Sequence, residues 1–180
     1  MMKKKLFLSL LLAASMSLSL AACGGTSGSE ESGGGDSGSD DPIVIGTISP
    51  NTGSLAAYGT GIITGVELAV EEINAAGGIL GRQVEVITTD DQGDPTECLN
   101  AFNSLVAEGV GLIIGSATSG CTSAITGLAN EEGVILITPS ATADPITTED
   151  DYVFRSCFRD SLQGDIAAAY VASMGYTKVG

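Results

Sequence analysis

Residues 110–138 read VGLIIGSATSGCTSAITGLANEEGVILIT, and this stretch decides the fold class. Residues 110–115 and 134–138 are short apolar runs, as in strands that are buried on both faces of a sheet. Residues 121–132 are predicted to be a helix that ends at Gly133, because glycine commonly follows the last helical turn. A strand, a helix and a second apolar strand in this order predict a right-handed crossover in a parallel sheet.

The alternation of strands and helices continues on both sides of this unit. Further strands are predicted at residues 42–48, 83–88, 152–155 and 177–180. Further helices are predicted at residues 60–76, 94–108 and 163–174. Asp94 and Pro95 suit the start of the second of these helices, as N-cap and first helical residue. The pattern indicates an α/β fold with a parallel, doubly wound sheet that is covered by helices on both faces.

The N-terminus has the pattern of an export signal. Residues 1–5 contain three lysines, residues 6–20 are mostly apolar and small residues precede Cys23, which predicts a secretory signal peptide over residues 1–22. A membrane-spanning helix is the alternative, and the serines in the apolar run count against it. The LAAC sequence at 20–23 resembles the lipobox of bacterial lipoproteins, which implies that Cys23 is diacylated and anchors the chain to the extracytoplasmic side of the cell membrane.

Residues 24–41, GGTSGSEESGGGDSGSDD, contain no apolar side chain. Such a segment cannot bury enough surface to offset the entropy that is lost on ordering. Together with Cys23 it is predicted to form a lipidated, flexible and acidic tether over residues 23–41, so the folded part is expected to begin at residue 42.

The composition excludes several classes of function. The chain has 22 acidic and seven basic residues, and its formal net charge of −15 argues against nucleic acid as a partner. It has no histidine, the commonest general base and metal ligand, and its cysteines lack the close spacing of a metal clip. We therefore expect no metal, no cofactor and no enzymatic activity. An exported hydrolase with Ser119 or Ser140 as nucleophile is an alternative that would need an activating base.

Three hydroxyl-rich loops follow predicted strands, at residues 49–53, 116–120 and 138–142. The carboxyl ends of parallel strands meet at one edge of the sheet, where ligands of open α/β sheets bind. Two of the loops lead toward helix N-termini, whose free N–H groups favour an anion. Together, the hydroxyl and N–H groups of the three loops suit a small carboxylate as ligand. Each loop taken singly is also typical of ordinary turns and helix caps. A cation at Asp90, Asp91 and Asp94 is a less economical alternative, because a strand end explains the first two residues and a helix N-cap explains the third.

Six sequence blocks within residues 43–175 together point to a known family. They are TGSLAAYG at 52–59, GVELAVEEINAAGGILGR at 65–82, DDQGDP at 90–95, IIGSATSG at 113–120, ITPSATADP at 137–145 and YVFRSCFRDSLQG at 152–164. In order and spacing these blocks resemble the amino-acid-binding lipoproteins of branched-chain amino-acid ABC transporters, which have the type I periplasmic binding protein fold.

The resemblance implies a protein of two α/β lobes that close over a ligand. Residues 42–159 would form most of the N-terminal lobe, and residues 160–180 the start of a second lobe that is truncated. The implied function is an extracytoplasmic substrate-binding protein that takes up a small, branched-chain amino acid and delivers it to the membrane permease of an ABC importer. An extracellular ligand-sensing domain of a receptor with the same fold is the alternative.

The resemblance also implies, by position, which residues hold the amino acid. Its α-carboxylate would be bound by Ser119, by the backbone of Ser140 and by the hydroxyl and N–H of Thr142, with Ala141 in the same loop. Tyr58 matches a tyrosine that lines the pocket of family members.

The pairing of the cysteines stays open. Some relatives have a disulfide at positions that match Gly93 and Thr118, and Cys98 and Cys121 are displaced from these positions. Both cysteines lie near the starts of helices that should share one face of the sheet. They either form a bridge of their own, which leaves Cys157 free, or remain reduced.

Overall fold

The computed structural model describes residues 41–148 and 152–180, so the predictions for the signal peptide, Cys23 and the tether up to residue 40 lie outside the described residues. The strands are β1 (Ile43–Ser49), β2 (Val84–Asp90), β3 (Leu112–Gly115), β4 (Ile135–Thr138) and β5 (Val153–Arg155). The helices are α1 (Ala56–Ala75), α2 (Pro95–Ala107), α3 (Ser119–Glu132) and α4 (Asp160–Ser173). Single 3-10 turns occur at Gly53–Leu55 and Asp144–Ile146.

All five strands are parallel and lie in the order β2-β1-β3-β4-β5, which confirms the predicted α/β class. The chain first adds β2 on one side of β1 and then returns to add β3, β4 and β5 on the other side. Ile48 of β1 pairs with Gly115 of β3, so the loops that follow these two strands start next to each other. Ligands of doubly wound sheets bind at this switch point, outside the carboxyl ends of the strands.

The core lies between one face of the sheet and helices α2 and α3. Phe102, Leu105 and Ile125 of the two helices are fully buried, together with Ile113 and Leu136 of the sheet. Burial of a side chain of this size contributes about 1.5–3 kcal/mol each. The core therefore fixes the position of α3 relative to β3 and β4, and with it the start of α3 at the sheet edge.

The start of α2 and the end of α3 lie at the residues that the sequence predicts. The Asp94 carboxylate accepts hydrogen bonds from the N–H groups of Thr96 at 2.7 Å and Glu97 at 3.2 Å, and Pro95 is the first helical residue. Gly133 follows the last turn of α3 with a φ of +68°, a left-handed conformation that glycine adopts without steric cost.

Helix α1 packs on the other face of the sheet, where it contacts β1 and β2. Its apolar residues Ile62, Val66 and Ile73 line a groove of about 760 Å³ together with Ile45 and Ile114 of the sheet. The segment Gly53–Ala75 has the length and composition of a membrane-spanning helix, but in this fold α1 lies against the sheet.

Three helices begin earlier than the sequence predicts. Helix α1 begins at Ala56 rather than residue 60, α3 at Ser119 rather than residue 121, and α4 at Asp160 rather than residue 163. Apolar periodicity marks the turns of a helix that pack, and these first turns carry mostly small or polar side chains, while Tyr58 and Leu162 in them are exposed. The strand predicted at residues 177–180 is wrong, because no strand in the described part of the chain pairs with these residues.

Candidate functional site

A cleft of about 270 Å³ opens at the carboxyl edge of the sheet, between the start of α1 and the loops that follow β3 and β4. Its lining residues are Leu55, Tyr58, Ala117, Thr118, Ser119 and Ser140. Three of the predicted site residues, Tyr58, Ser119 and Ser140, therefore meet in one place. The fold brings them together although they belong to three separate sequence blocks.

Tyr58 reaches the cleft from the first turn of α1 and keeps 61% of its surface exposed. The neighbouring Gly59 is buried, and a Cβ at this position would lie 2.1 Å from the carbonyl oxygen of Pro50. Only glycine allows α1 to approach the loop after β1 this closely. A larger residue at position 59 would displace the first turn of α1 and move Tyr58 with it.

The start of α3 presents unpaired main-chain donors. Thr118 is the N-cap: its hydroxyl accepts from the N–H of Cys121 at 3.3 Å, and its carbonyl accepts from the N–H of Thr122 at 3.0 Å. The N–H groups of Ser119 and Gly120 make no hydrogen bond within residues 41–148 and 152–180. They lie at the positive end of the helix dipole, so this end of the cleft favours an anion.

Two hydroxyl groups of the loop after β4 fix this loop against the loop after β3. The buried Thr138 hydroxyl donates to the carbonyl of Ser116 at 2.7 Å and accepts from the N–H of Ala141 at 3.0 Å. The Ser140 hydroxyl donates to the carbonyl of Ala117 at 2.6 Å. Ala141 is fully buried with its N–H engaged, so the geometry does not favour it as a contact of a ligand.

Thr142 and Ser119 differ from these anchored residues. The hydroxyl and N–H of Thr142 make no hydrogen bond within the described residues, and its carbonyl accepts from the N–H of Asp160 at 3.0 Å. Thr142 is half-buried and is not part of the cleft lining. The Ser119 hydroxyl accepts from the N–H of Ala143 at 3.2 Å, which ties the loop after β4 to the start of α3.

Arg155, at the end of β5, fixes the same loop and was missed by the sequence analysis. Its guanidinium donates to the carbonyl oxygens of Ala141 at 3.1 Å, Ala143 at 3.0 Å and Asp144 at 3.3 Å. It also donates twice to the Thr147 hydroxyl, at 2.9 and 3.0 Å. The available signal was an arginine at the end of a strand in a chain with only seven basic residues. This one side chain holds the backbone that carries Thr142.

The sequence analysis grouped the loop after β1 with the loops after β3 and β4 as one candidate anion site. In the structure, the loop after β1 contributes no hydroxyl group to the cleft. The Asp90 carboxylate accepts from the Thr52 hydroxyl at 2.6 Å and from the N–H groups of Asn51 at 2.8 Å and Gln92 at 2.9 Å. Desolvation opposes ionisation of Asp90, but the Thr52 hydroxyl and these N–H groups outweigh it and hold the pKa of Asp90 below its ordinary value. The polar groups of Asn51 and Thr52 are therefore satisfied by Asp90 of the neighbouring strand β2.

The geometry gives no support to a serine nucleophile. The Ser140 hydroxyl is bound to a carbonyl and the Ser119 hydroxyl to an N–H group. Neither hydroxyl contacts a carboxylate or an amine among the described residues. A nucleophilic serine needs a base within hydrogen-bond reach.

Comparison with known proteins identifies the family. The sequence profile described as periplasmic binding protein matches residues 42–180. The chain belongs to the periplasmic binding protein family. This agrees with the resemblance of the six sequence blocks and with the parallel sheet of the structure.

Relatives in the periplasmic binding protein family cover most of this chain but only part of their own length. The Leu/Ile/Val-binding protein BraC3 of Rhizobium johnstonii is 42% identical over 130 residues, which are 72% of this chain and 35% of that protein. The branched-chain amino acid transporter substrate binding protein LivJ of Streptococcus pneumoniae, solved in complex with isoleucine, has a TM-score of 0.68 and 46% identity over 73% of this chain and 38% of that chain.

A more distant structure shows the same fold with a different ligand. The solute binding protein of an ABC transporter from Rhodopseudomonas palustris, in complex with 3,4-dihydroxy benzoic acid, has a TM-score of 0.69 at 26% identity. The match covers 76% of this chain and 37% of that chain. The chain thus spans little more than a third of the length of these relatives.

Proposed function

We propose that this periplasmic binding protein is the extracytoplasmic substrate-binding component of an ABC importer and that it binds a branched-chain amino acid through the α-carboxylate. The observation that carries the proposal is the start of α3, where two N–H groups without a partner in the described residues lie at the positive end of a helix. The ligands named for two relatives, isoleucine and 3,4-dihydroxy benzoic acid, support this choice because both carry a carboxylate.

Neutral donors are sufficient to hold the carboxylate. We assign one oxygen to the N–H groups of Ser119 and Gly120 and to the Ser119 hydroxyl. The other oxygen is assigned to the N–H of Ser140 and to the N–H and hydroxyl of Thr142. Hydrogen bonds to a charged acceptor are about twice as strong as neutral ones, so five or six such bonds replace a salt bridge. Arg155 is not needed as a counter-ion, and its donors are committed to the loop.

The rest of the ligand is assigned to apolar surface and to a second lobe. Leu55, Tyr58 and Ala117 offer apolar contacts for an aliphatic side chain. No acidic residue lines the cleft within the described residues, so the ammonium group needs a partner elsewhere. Residues 42–159 would act as the N-terminal lobe, and the lobe that begins at residues 160–180 would supply this partner on closure.

The N-terminal sequence supports a place next to a membrane permease. A signal peptide over residues 1–22 would direct export, and diacylation of Cys23 would attach the protein to the membrane through buried acyl chains. The tether that follows would leave the binding lobe free to reach a permease. Binding and delivery require no covalent step, and we propose no enzymatic activity.

The proposal is tested by removing one donor at the start of α3. Ser119→Pro removes the N–H and the hydroxyl at the first helical position, where proline is favoured, and the preceding Thr118 is already extended as proline requires. Ser119→Ala is the matched control, because it removes the hydroxyl and keeps the N–H. We expect Ser119→Pro to weaken isoleucine binding by roughly tenfold more than Ser119→Ala, measured by NMR titration of the purified protein.

A ligand series gives the independent test. Leucine should shift the amide resonances of Ser119, Gly120 and Thr142, and leucinamide, which lacks the carboxylate, should not. Equal binding of leucine and leucinamide, or no shift with any aliphatic amino acid, would show that the α-carboxylate is not what this cleft recognises.

A further inference from the structure

We propose that Cys98 and Cys121 are a cross-linking site, which is oxidised to a disulfide between α2 and α3 before the two helices bury it. The cysteines are unbonded in the structure, but their Sγ atoms lie within 4.8 Å of each other. The Cys98 thiol donates to the carbonyl oxygen of Cys121 at 3.4 Å, so the two residues are in direct contact. The site is separate from the cleft and does not depend on the proposed function.

The positions of the two sulfurs suit a bond. A disulfide requires sulfurs about 2.0 Å apart, so these two have to approach by less than about 3 Å, a distance that a change of side-chain rotamer covers. Both residues lie in first turns, Cys98 in α2 and Cys121 in α3, and the two helices pack together on one face of the sheet. The bond would tie the start of α3, which carries Ser119, to the start of α2.

The burial of the site determines when the bond forms. Both cysteines are completely buried. Burial raises the pKa of both thiols, and the negative charge of Asp91 adds to the rise at Cys98. The thiolate is the species that attacks a disulfide, so the folded and reduced protein is unreactive at this pair. The disulfide therefore forms during folding, before α2 and α3 bury the two thiols.

The oxidant required is a protein or small-molecule disulfide of the kind found in compartments to which signal peptides direct proteins. One cysteine thiolate attacks the oxidant, forms a mixed disulfide and releases one thiol. The second cysteine attacks the protein sulfur of the mixed disulfide and releases the other thiol. Cys98 and Cys121 together lose two electrons and two protons, and the oxidant gains both.

A metal ion is the competing occupant, because Asp91 lies within 4.8 Å of the two sulfurs. A metal would need both thiols deprotonated, whereas the Cys98 thiol acts as a hydrogen-bond donor. Both oxygens of Asp91 are already engaged: Oδ1 accepts from the N–H of Gly93 at 2.9 Å, and Oδ2 accepts from the hydroxyl of Ser116. These contacts favour a sulfur–sulfur bond over a metal site.

Peptide mapping of the exported full chain tests the proposal. The protein is denatured with an alkylating reagent in the absence of reductant and digested with trypsin. Residues 83–155 contain no internal lysine or arginine, so one peptide carries Cys98 and Cys121, while Cys157 lies in the peptide 156–159. We expect peptide 83–155 to carry no alkyl group and to be about 2 Da lighter than its reduced form. Two alkyl groups on this peptide, with or without release of zinc, or a link to peptide 156–159, would overturn the proposal.

Two matched variants and a refolding experiment sharpen the result. Cys157→Ser should keep the cross-link, and Cys98→Ser should leave Cys121 open to one alkyl group. Oxidised glutathione added at the start of refolding of the reduced protein should form the bond at least roughly tenfold faster than glutathione added after folding. Equal rates would overturn the proposed order of oxidation and burial.

Discussion

Two hydroxyl-rich loops at the same edge of the sheet use their polar groups in opposite ways. In the loop after β1, the hydroxyl and N–H of Thr52 both bind the Asp90 carboxylate. In the loop after β4, the hydroxyls of Thr138 and Ser140 bind main-chain carbonyls of the loop after β3. Thr142 of the same loop keeps its hydroxyl and N–H unpaired among the described residues. Asp90 of β2 satisfies the polar groups of the first loop, whereas the second loop leaves two donors of Thr142 without a partner among the described residues.

The difference teaches that the nearest acceptor, and not the number of hydroxyl groups, decides what such a loop does. Asp90 supplies a carboxylate to the loop after β1, so nothing remains to attract an anion. The loop after β4 has no acidic partner for Thr142 among the described residues, and Arg155 donates to its carbonyl groups at Ala141, Ala143 and Asp144. In the proposed function, the carboxylate of the ligand takes the place that Asp90 has in the first loop.

The largest expected effect comes from removing the residue that holds the second loop. Arg155→Met keeps much of the side-chain volume but leaves the carbonyl oxygens of Ala141, Ala143 and Asp144 without their donor. We expect the free energy of unfolding to fall by about 2–4 kcal/mol and the affinity for isoleucine to fall by roughly tenfold or more. Chemical denaturation and NMR titration measure the two effects.

Arg155→Lys is the control for this prediction. Lysine keeps the charge but loses the planar fork that reaches several acceptors at once. Compared with Arg155→Met, the Arg155→Lys variant should regain part of the lost stability. It should regain little of the affinity for isoleucine if the loop after β4 needs all the contacts of Arg155. Unchanged affinity in Arg155→Met would show that the loop holds its shape without the guanidinium, and the comparison of the two loops would fail.

A smaller effect is expected at the acid that satisfies the first loop. Asp90→Asn weakens the hydrogen bonds from Thr52, Asn51 and Gln92 and should lower the free energy of unfolding by about 1 kcal/mol, since the site is partly exposed to solvent. Isoleucine affinity should stay within about twofold, because this loop has no assigned contact with the ligand. A large loss of affinity with little loss of stability would contradict the division between the loops.

The same acid gives a dependence on pH with a definite sign. The pKa of Asp90 in the folded chain lies below its ordinary value of 3.8, so on acidification the unfolded chain binds the proton first. The contribution of Asp90 is complete above the unfolded pKa and is lost as the pH falls through the folded pKa. The stability difference between the natural protein and Asp90→Asn should be constant from about pH 7 to pH 5 and shrink toward about pH 3 in denaturation curves.

The smallest effect is expected at Ser140. Ser140→Ala removes the hydroxyl that donates to the carbonyl of Ala117 and keeps the main-chain N–H that is assigned to the ligand. Stability should fall by about 0.5–1 kcal/mol and affinity by no more than about twofold. A loss of affinity as large as that of Arg155→Met would mean that the Ser140 hydroxyl itself contacts the ligand.

Much of the fold could be predicted because its signals are local. Continuous apolar strands, the N-cap Asp94 and the stop at Gly133 each mark an element within a few residues of sequence. The first turn of α3 was placed two residues late, because its small polar side chains do not follow the apolar period. That shift matters for the site, since it places the N–H of Ser119, which has no partner among residues 41–148 and 152–180, in the first helical turn.

The partners of the loops could not be predicted, because they come from distant parts of the chain. Asp90 reaches back to Thr52 across 38 residues, and Arg155 reaches Ala141 across 14. From the sequence, Asp90 was a strand end and Arg155 was one basic residue of an exported chain. Neither residue carries a local signal for the loop that it holds.

By itself, the sequence predicted the parallel α/β sheet and the edge at which its hydroxyl-rich loops meet, and its resemblance to a family pointed to Tyr58, Ser119 and Ser140, which line one cleft. Periodicity and turn chemistry act between near neighbours, so they are readable along the chain. Only the tertiary structure decided that the loop after β1 closes on Asp90, that Arg155 holds the loop after β4, and that Cys98 and Cys121 are in contact. Hydrogen bonding and burial depend on which groups the packed strands and helices bring within a few ångströms, and the order of residues does not specify those distances.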